Sequence, residues 1–163
     1  MRCMMIIMGI DPGTAITGYG LINKENNRLT LLEYGVIRTE KDIPANLRLL
    51  EVFEGINELI DRFKPEHIAI EELFFNKNTK TALSVGQSRG VIILAAELKG
   101  VRTFEYTPLQ VKQAVVGYGR ADKKQVQFMV KAIMDMKEIA KPDDAADALA
   151  ISICHANYFR FDR

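Results

Sequence analysis

GIDPGTAITGYGLI, residues 9–22, closes the apolar run MMIIMGI of residues 4–10 with a single acid and a Pro-Gly turn. A short apolar run ending in turn residues is the pattern of a buried strand, so Asp11 stands where that strand leaves the core. A carboxylate there is either a turn-former or a ligand. Beyond the turn, two alternating runs flank the polar KENN of residues 24–27, a hairpin signal. The first three strands are therefore expected to form a meander.

Working outward, Leu47, Leu50, Phe53, Ile56, Ile60 and Phe63 recur at steps of three and four, predicting an amphipathic helix from Pro44 to Phe63 that Lys64 and Pro65 end. HIAIEE, residues 67–72, reads as the fourth strand, apolar until it reaches two carboxylates, and a polar loop follows. Residues 81–98 have helical period and many small side chains, and VRTFEYT, residues 101–107, is a fifth strand. PLQVKQAVVG and DKKQVQFMVKAIMDM are two further helical patterns, with Gly117 to Gly119 as the turn between them and Asp122 as N-cap of the second. KPDDAADALAISICHA opens the last helix, its proline and acids suited to a first turn. Strands interleaved with helices indicate an α/β sheet, in which ligands collect at the strand ends.

The chain of 163 residues is 48% hydrophobic and 26% charged, enough for one domain, spanning residues 1–163, around one core. Its longest apolar stretches fall short of the roughly 20 residues of a membrane span. The N-terminal run reads as a strand rather than a signal. Cys3 and Cys154 have neither zinc-site nor disulfide spacing, so a reducing, cytoplasmic location is expected. Net charge is only +1, but residues 73–137 hold eleven Lys/Arg against four Asp/Glu, while the rest hold eleven against seventeen. That asymmetry predicts a basic face beside an acidic one.

Asp11 and Glu71 end strands that can lie side by side, and the last helix adds Asp144 and Asp147 on one face. Asp143 and Asp147, four apart, share a helical face equally well. Clustered carboxylates need protons or cations between them, and all-oxygen ligands select hard ions such as Mg²⁺ or Mn²⁺. With two such ions about 4 Å apart, one activates water and the other stabilises the leaving oxygen of a phosphodiester. Each acid alone has an ordinary structural explanation: turn, solvated strand end, helix dipole partner.

Four phrases in order, GIDPGTAITGYGLI, AIEELFFNKNTKTALSVGQSRGV, EYTPLQVKQAVVGYG and DDAADALAISICHA, resemble the RuvC family of bacterial Holliday-junction resolvases, over nearly the whole chain. The resemblance implies a ribonuclease-H-like α/β fold with a mixed five-stranded sheet and helices on both faces. It implies a homodimer that makes paired Mg²⁺-dependent nicks in four-way junction DNA, with Mn²⁺ as a substitute, and it raises a branch-migration helicase complex as a further partner. The family's acidic tetrad falls on Asp11, Glu71, Asp144 and Asp147, leaving Asp143 and Glu72 as neighbours. Phe74 matches its stacking aromatic, and Lys112 and Lys123 its basic residues near the site, where phosphate binds. Arg89, Arg120 and Lys124 are further candidate DNA contacts, or solvated helix charges. His155 is left outside the tetrad, as a structural histidine.

Two other readings compete. GIDPGT also suits the phosphate-gripping turn of sugar-kinase and actin-like ATPases, but those need two lobes and this chain has one copy of the motif. A related RNA-processing nuclease would use the same basic, aromatic-bearing segment.

Overall fold

The computed structural model describes residues 4–73 and 79–159. Phe74, Phe75 and Cys3 lie outside the described residues. Five strands and five helices follow in the order β1 (Met4–Asp11), β2 (Ile16–Glu25), β3 (Arg28–Arg38), α1 (Ala45–Phe63), β4 (His67–Glu71), α2 (Thr79–Leu98), β5 (Arg102–Tyr106), α3 (Pro108–Val116), α4 (Lys123–Ile133) and α5 (Asp143–Tyr158). The sheet order is β3-β2-β1-β4-β5. β1, β2 and β3 form the antiparallel meander, and β4 and β5 join β1 in parallel. The sheet is mixed and five-stranded, as the resemblance implies.

Side-chain alternation divides the core in two. Met8, Ile10, Leu21, Ile68 and Ile70 pack beneath Val52, Ile56 and Ile60 of α1 and Ile92, Ala95 and Ala96 of α2. Met5, Ile7, Ile22 and Ala69 face α3, α4 and above all α5, whose Ala146, Leu149, Ala150 and Ile153 are buried. The same parity puts Asp11 and Glu71 on the α5 face.

That face is cut down to admit a helix. A Cβ on Gly18 would lie 2.0 Å from the Asp144 carbonyl oxygen, and one on Gly9 2.2 Å from the Ala148 carbonyl oxygen. On Gly20 it would lie 2.8 Å from the Leu149 nitrogen. Gly9 pairs with Gly20 and Asp11 with Gly18 across β1 and β2, so the bare patch is continuous. The α5 backbone rests directly on the sheet there, which only glycine permits.

Helix boundaries follow local chemistry. α1 ends at Lys64, in the left-handed region at φ 50°, just before Pro65. Capping boxes start α3 (Thr107 with Gln110) and α4 (Asp122 with Gln125). Pro142 is the residue preceding α5 rather than part of its first turn. The face of α1 also departs from its spacing: Leu47 and Leu50 are exposed. Its start is held instead by Arg48, whose Nε donates to Thr39 Oγ1 at 2.9 Å.

Candidate active site

Asp11 and Glu71 close adjacent parallel strands, one step beyond the last paired residues, Ile10 and Ile70. α5 brings its first two turns, with Asp144 and Asp147, over the ends of β1 and β2. The turn after Asp11 is fastened on the other side: Ser88 Oγ donates to the Gly13 carbonyl at 2.8 Å, and Thr14 Oγ1 to the Ser84 carbonyl at 3.0 Å. Thr39 Oγ1 donates to the Thr14 carbonyl at 2.7 Å.

Asp11, Glu71 and Asp147 lie in one another's fields, and Asp144 acts on Asp11 and Asp147. Burial, then repulsion from Asp147, Glu71 and Asp144, pushes the Asp11 carboxyl up to about 8 from its ordinary 3.8, against the opposing pull of Lys123. Glu71 is raised by burial and by Asp147, with Lys112 opposing. Asp147 is raised by burial, again against Lys123. Lys112 and Lys123 therefore both reach the field of the acids.

Lys123 does so by contact. Its Nζ lies 3.1 Å from Asp143 Oδ2 and 3.3 Å from Asp147 Oδ2. Gln127 Nε2, one turn further along α4, donates to Asp143 Oδ1 at 3.0 Å. Among the described residues, no group of three or more His, Cys, Asp or Glu side chains is gathered tightly enough to hold an ion as it stands. The donor chemistry nevertheless fits a hard divalent ion: carboxylate oxygens, partly desolvated, mutually repelled and thus short of positive charge.

The other candidates divide. Arg120, in the α3–α4 turn, and Lys124, second residue of α4, are exposed. Arg89 is largely covered and ion-paired to Glu105 of β5. Glu72 follows the strand, and its N–H donates to the Tyr106 carbonyl at 2.8 Å. His155 is fully buried among aromatic rings, sharing hydrogen bonds of 2.7 Å with the Tyr106 hydroxyl and 2.9 Å with His67 Nδ1. Burial and neighbouring positive charge push it down to about 3, so it is a neutral core residue.

Two features escaped the sequence. The Asp143–Gln127–Lys123 contact joins side chains that nothing local links. The glycine patch was legible in principle, since Gly18 and Gly20 share a strand face by their spacing of two.

The family described as "Crossover junction endodeoxyribonuclease RuvC" matches residues 7–155. A protein of that name from Pelotomaculum thermopropionicum is 57% identical over 98% of this chain and 97% of its own. Another of that name, from Desulfitobacterium hafniense, is 60% identical over 94% of this chain and 93% of its own. Among solved structures, "T. thermophilus RuvC in complex with Holliday junction substrate" is similar with a TM-score of 0.90 at 39% identity, covering 94% of both chains.

Proposed function

The chain belongs to the RuvC family of crossover junction endodeoxyribonucleases, and from that premise we propose that it resolves four-way DNA junctions by paired symmetric nicks, in recombination and DNA repair. The observation that carries the reading is the placement of Asp11 and Glu71 at the ends of adjacent parallel strands beneath the first turns of α5, where burial and the charges of Asp147, Glu71 and Asp144 raise the Asp11 carboxyl. These four carboxylates would hold Mg²⁺, two ions per site, with Mn²⁺ as a substitute. Bound there, the ions would supply activation of a water molecule and neutralisation of charge on the leaving oxygen.

The protein's own groups do the rest. Asp11 and Glu71 stand at strand ends, and the glycine patch lets α5 bring Asp144 and Asp147 over them, so the four acids share one end of the sheet before substrate arrives. Lys112 and Lys123 offset the negative charge of the acids where a phosphate must approach, and attract the DNA backbone. Arg120 and Lys124 extend that attraction around the start of α4, and Phe74 stacks on an unpaired base at the crossover.

The working unit is a homodimer. α2 leaves Leu83, Leu94 and Leu98 more than half exposed, and nothing stands within 4 Å of where a Gly90 side chain would be. Beside this stripe, Leu73, Ala82, Leu83 and Gly86 help to line an open apolar cavity of about 490 Å³. A second copy laid against α2 would cover both, and a two-fold dimer matches the symmetry of a four-way junction. Ile93 and Ala95 face inward, so Leu94→Asp is the informative substitution.

One assay tests the whole reading: labelled four-way junction, plain duplex and RNA hairpin, each with and without Mg²⁺, with cuts mapped to the nucleotide. Symmetric, Mg²⁺-dependent nicks confined to the junction are expected. Preference for the hairpin would move the assignment to RNA processing. Leu94→Asp should shift sedimentation toward monomer and uncouple the two nicks.

A further inference from the structure

Asp143 fits the helical face of Asp147 by spacing, yet the family likeness leaves it outside the tetrad. It begins α5, exposed, and its two oxygens divide between two side chains of α4: Oδ2 takes Lys123 Nζ at 3.1 Å and Oδ1 takes Gln127 Nε2 at 3.0 Å. Lys123 and Gln127 are four apart, so a single carboxylate spans one turn of the facing helix. The Lys123 ammonium is thereby placed between a carboxylate inside the tetrad, Asp147, and one outside it.

We infer that Asp143 is a positioning residue for Lys123: with Gln127 it keeps the ammonium at the rim of the site when a divalent cation takes over the oxygens of Asp147. The inference rests on reading Asp11, Glu71, Asp144 and Asp147 as the cation site. A cation bound to Asp147 competes with Lys123 for the same oxygens. With Asp143 present, Lys123 yields Asp147 and keeps an anionic partner at the place where phosphate must approach. With Asp143 neutral, Asp147 is the one carboxylate among the described residues that Lys123 still contacts, and the ammonium opposes the incoming cation. Gln127 holds the Asp143 carboxylate still, which an exposed ion pair alone does poorly.

The test is a double-substitution cycle read by Mn²⁺ binding to the DNA-free protein, followed by electron paramagnetic resonance of free Mn²⁺. Asp143→Asn should weaken Mn²⁺ binding about fivefold, the upper range for exposed charge pairs. In a Lys123→Ala background the same substitution should change nothing, and Asp143→Glu should restore binding to the parent. On junction DNA at saturating Mn²⁺, Asp143→Asn should lower kcat with little change in KM. An equal loss with and without Lys123 would reduce Asp143 to a diffuse contributor of negative charge, and no loss in either background would make it idle; both overturn the inference. Wild-type binding insensitive to Asp11→Asn would instead remove the cation site itself.

Discussion

The two faces of the sheet are built on opposite plans. On the α1–α2 face the strands contribute large aliphatic side chains, Met8, Ile10, Leu21, Ile68 and Ile70, and the helices stand off at the distance those residues set. On the α5 face Gly9, Gly18 and Gly20 remove that spacer and the helix backbone descends onto the strands. The first plan stabilises through buried area, which tolerates small shifts. The second gives up area for proximity, because acids on a strand end and on a helix share one site only when the elements touch.

The sharpest way to break the comparison is to remove one acid. Asp144→Asn should lower cleavage at least about a thousandfold while junction affinity in EDTA holds or rises, since a negative charge near phosphate is lost. Asp143→Asn should do far less, and the reverse ranking would overturn the assignment of α5. Next comes Gly18→Ala, whose methyl would collide with backbone that has nowhere to go. Destabilisation of about 3 kcal/mol in chemical denaturation, with loss of Mn²⁺ binding, is expected. On the other face Ile56→Val should cost only about 1 kcal/mol and leave nicking intact. If the two substitutions cost the same, the faces do not differ as described.

A pH series sharpens the contrast further. The folded protein holds the Asp11 proton more tightly than the unfolded chain does, up to about 8 against 3.8. The stability this gives is fully present below the ordinary carboxylate range and is lost as pH rises through about 8. In metal-free buffer the melting temperature of Asp11→Asn should therefore exceed that of the wild type by a margin that grows from about pH 5 to about pH 9. Added Mg²⁺ should close the gap by stabilising the wild type alone. The smallest effect belongs to the rim: Lys112→Ala should reduce the logarithmic salt slope of junction binding by about one, with stability unchanged.

Much of this was legible in the chain, for physical reasons that can be named. Asp11 stood out as a candidate because an acid that ends an apolar strand at a Pro-Gly turn is either a turn-former or a ligand. The meander and the helix boundaries were found because turn and cap chemistry is local. Spacing left the choice between Asp143 and Asp144 open, since both fit a helical face with Asp147, and the family resemblance made it; in the fold the Asp144 backbone rests on Gly18 while Asp143 is exposed. The inward face of α1 was misjudged at Leu47 and Leu50 because periodicity shows that a helix has an apolar stripe, not how far the covering sheet extends. Arg89 reads as a basic candidate until Glu105 of a strand sixteen residues away is seen to occupy it.

The capping box at α4 has a further consequence. Lys123 and Lys124 are its first two residues, at the end of a helix where the backbone dipole already presents positive charge. Isolated, that turn would tend to fray; Asp122 and Gln125 fasten it shut with bonds of 2.8 and 2.9 Å. Lys123 is held there by Asp143 and Asp147, whereas Lys124 is exposed at the same helix end. In the time domain, the amide hydrogens of this turn should exchange more slowly in the parent protein than in Asp122→Ala, where the cap is gone, as hydrogen–deuterium exchange would show.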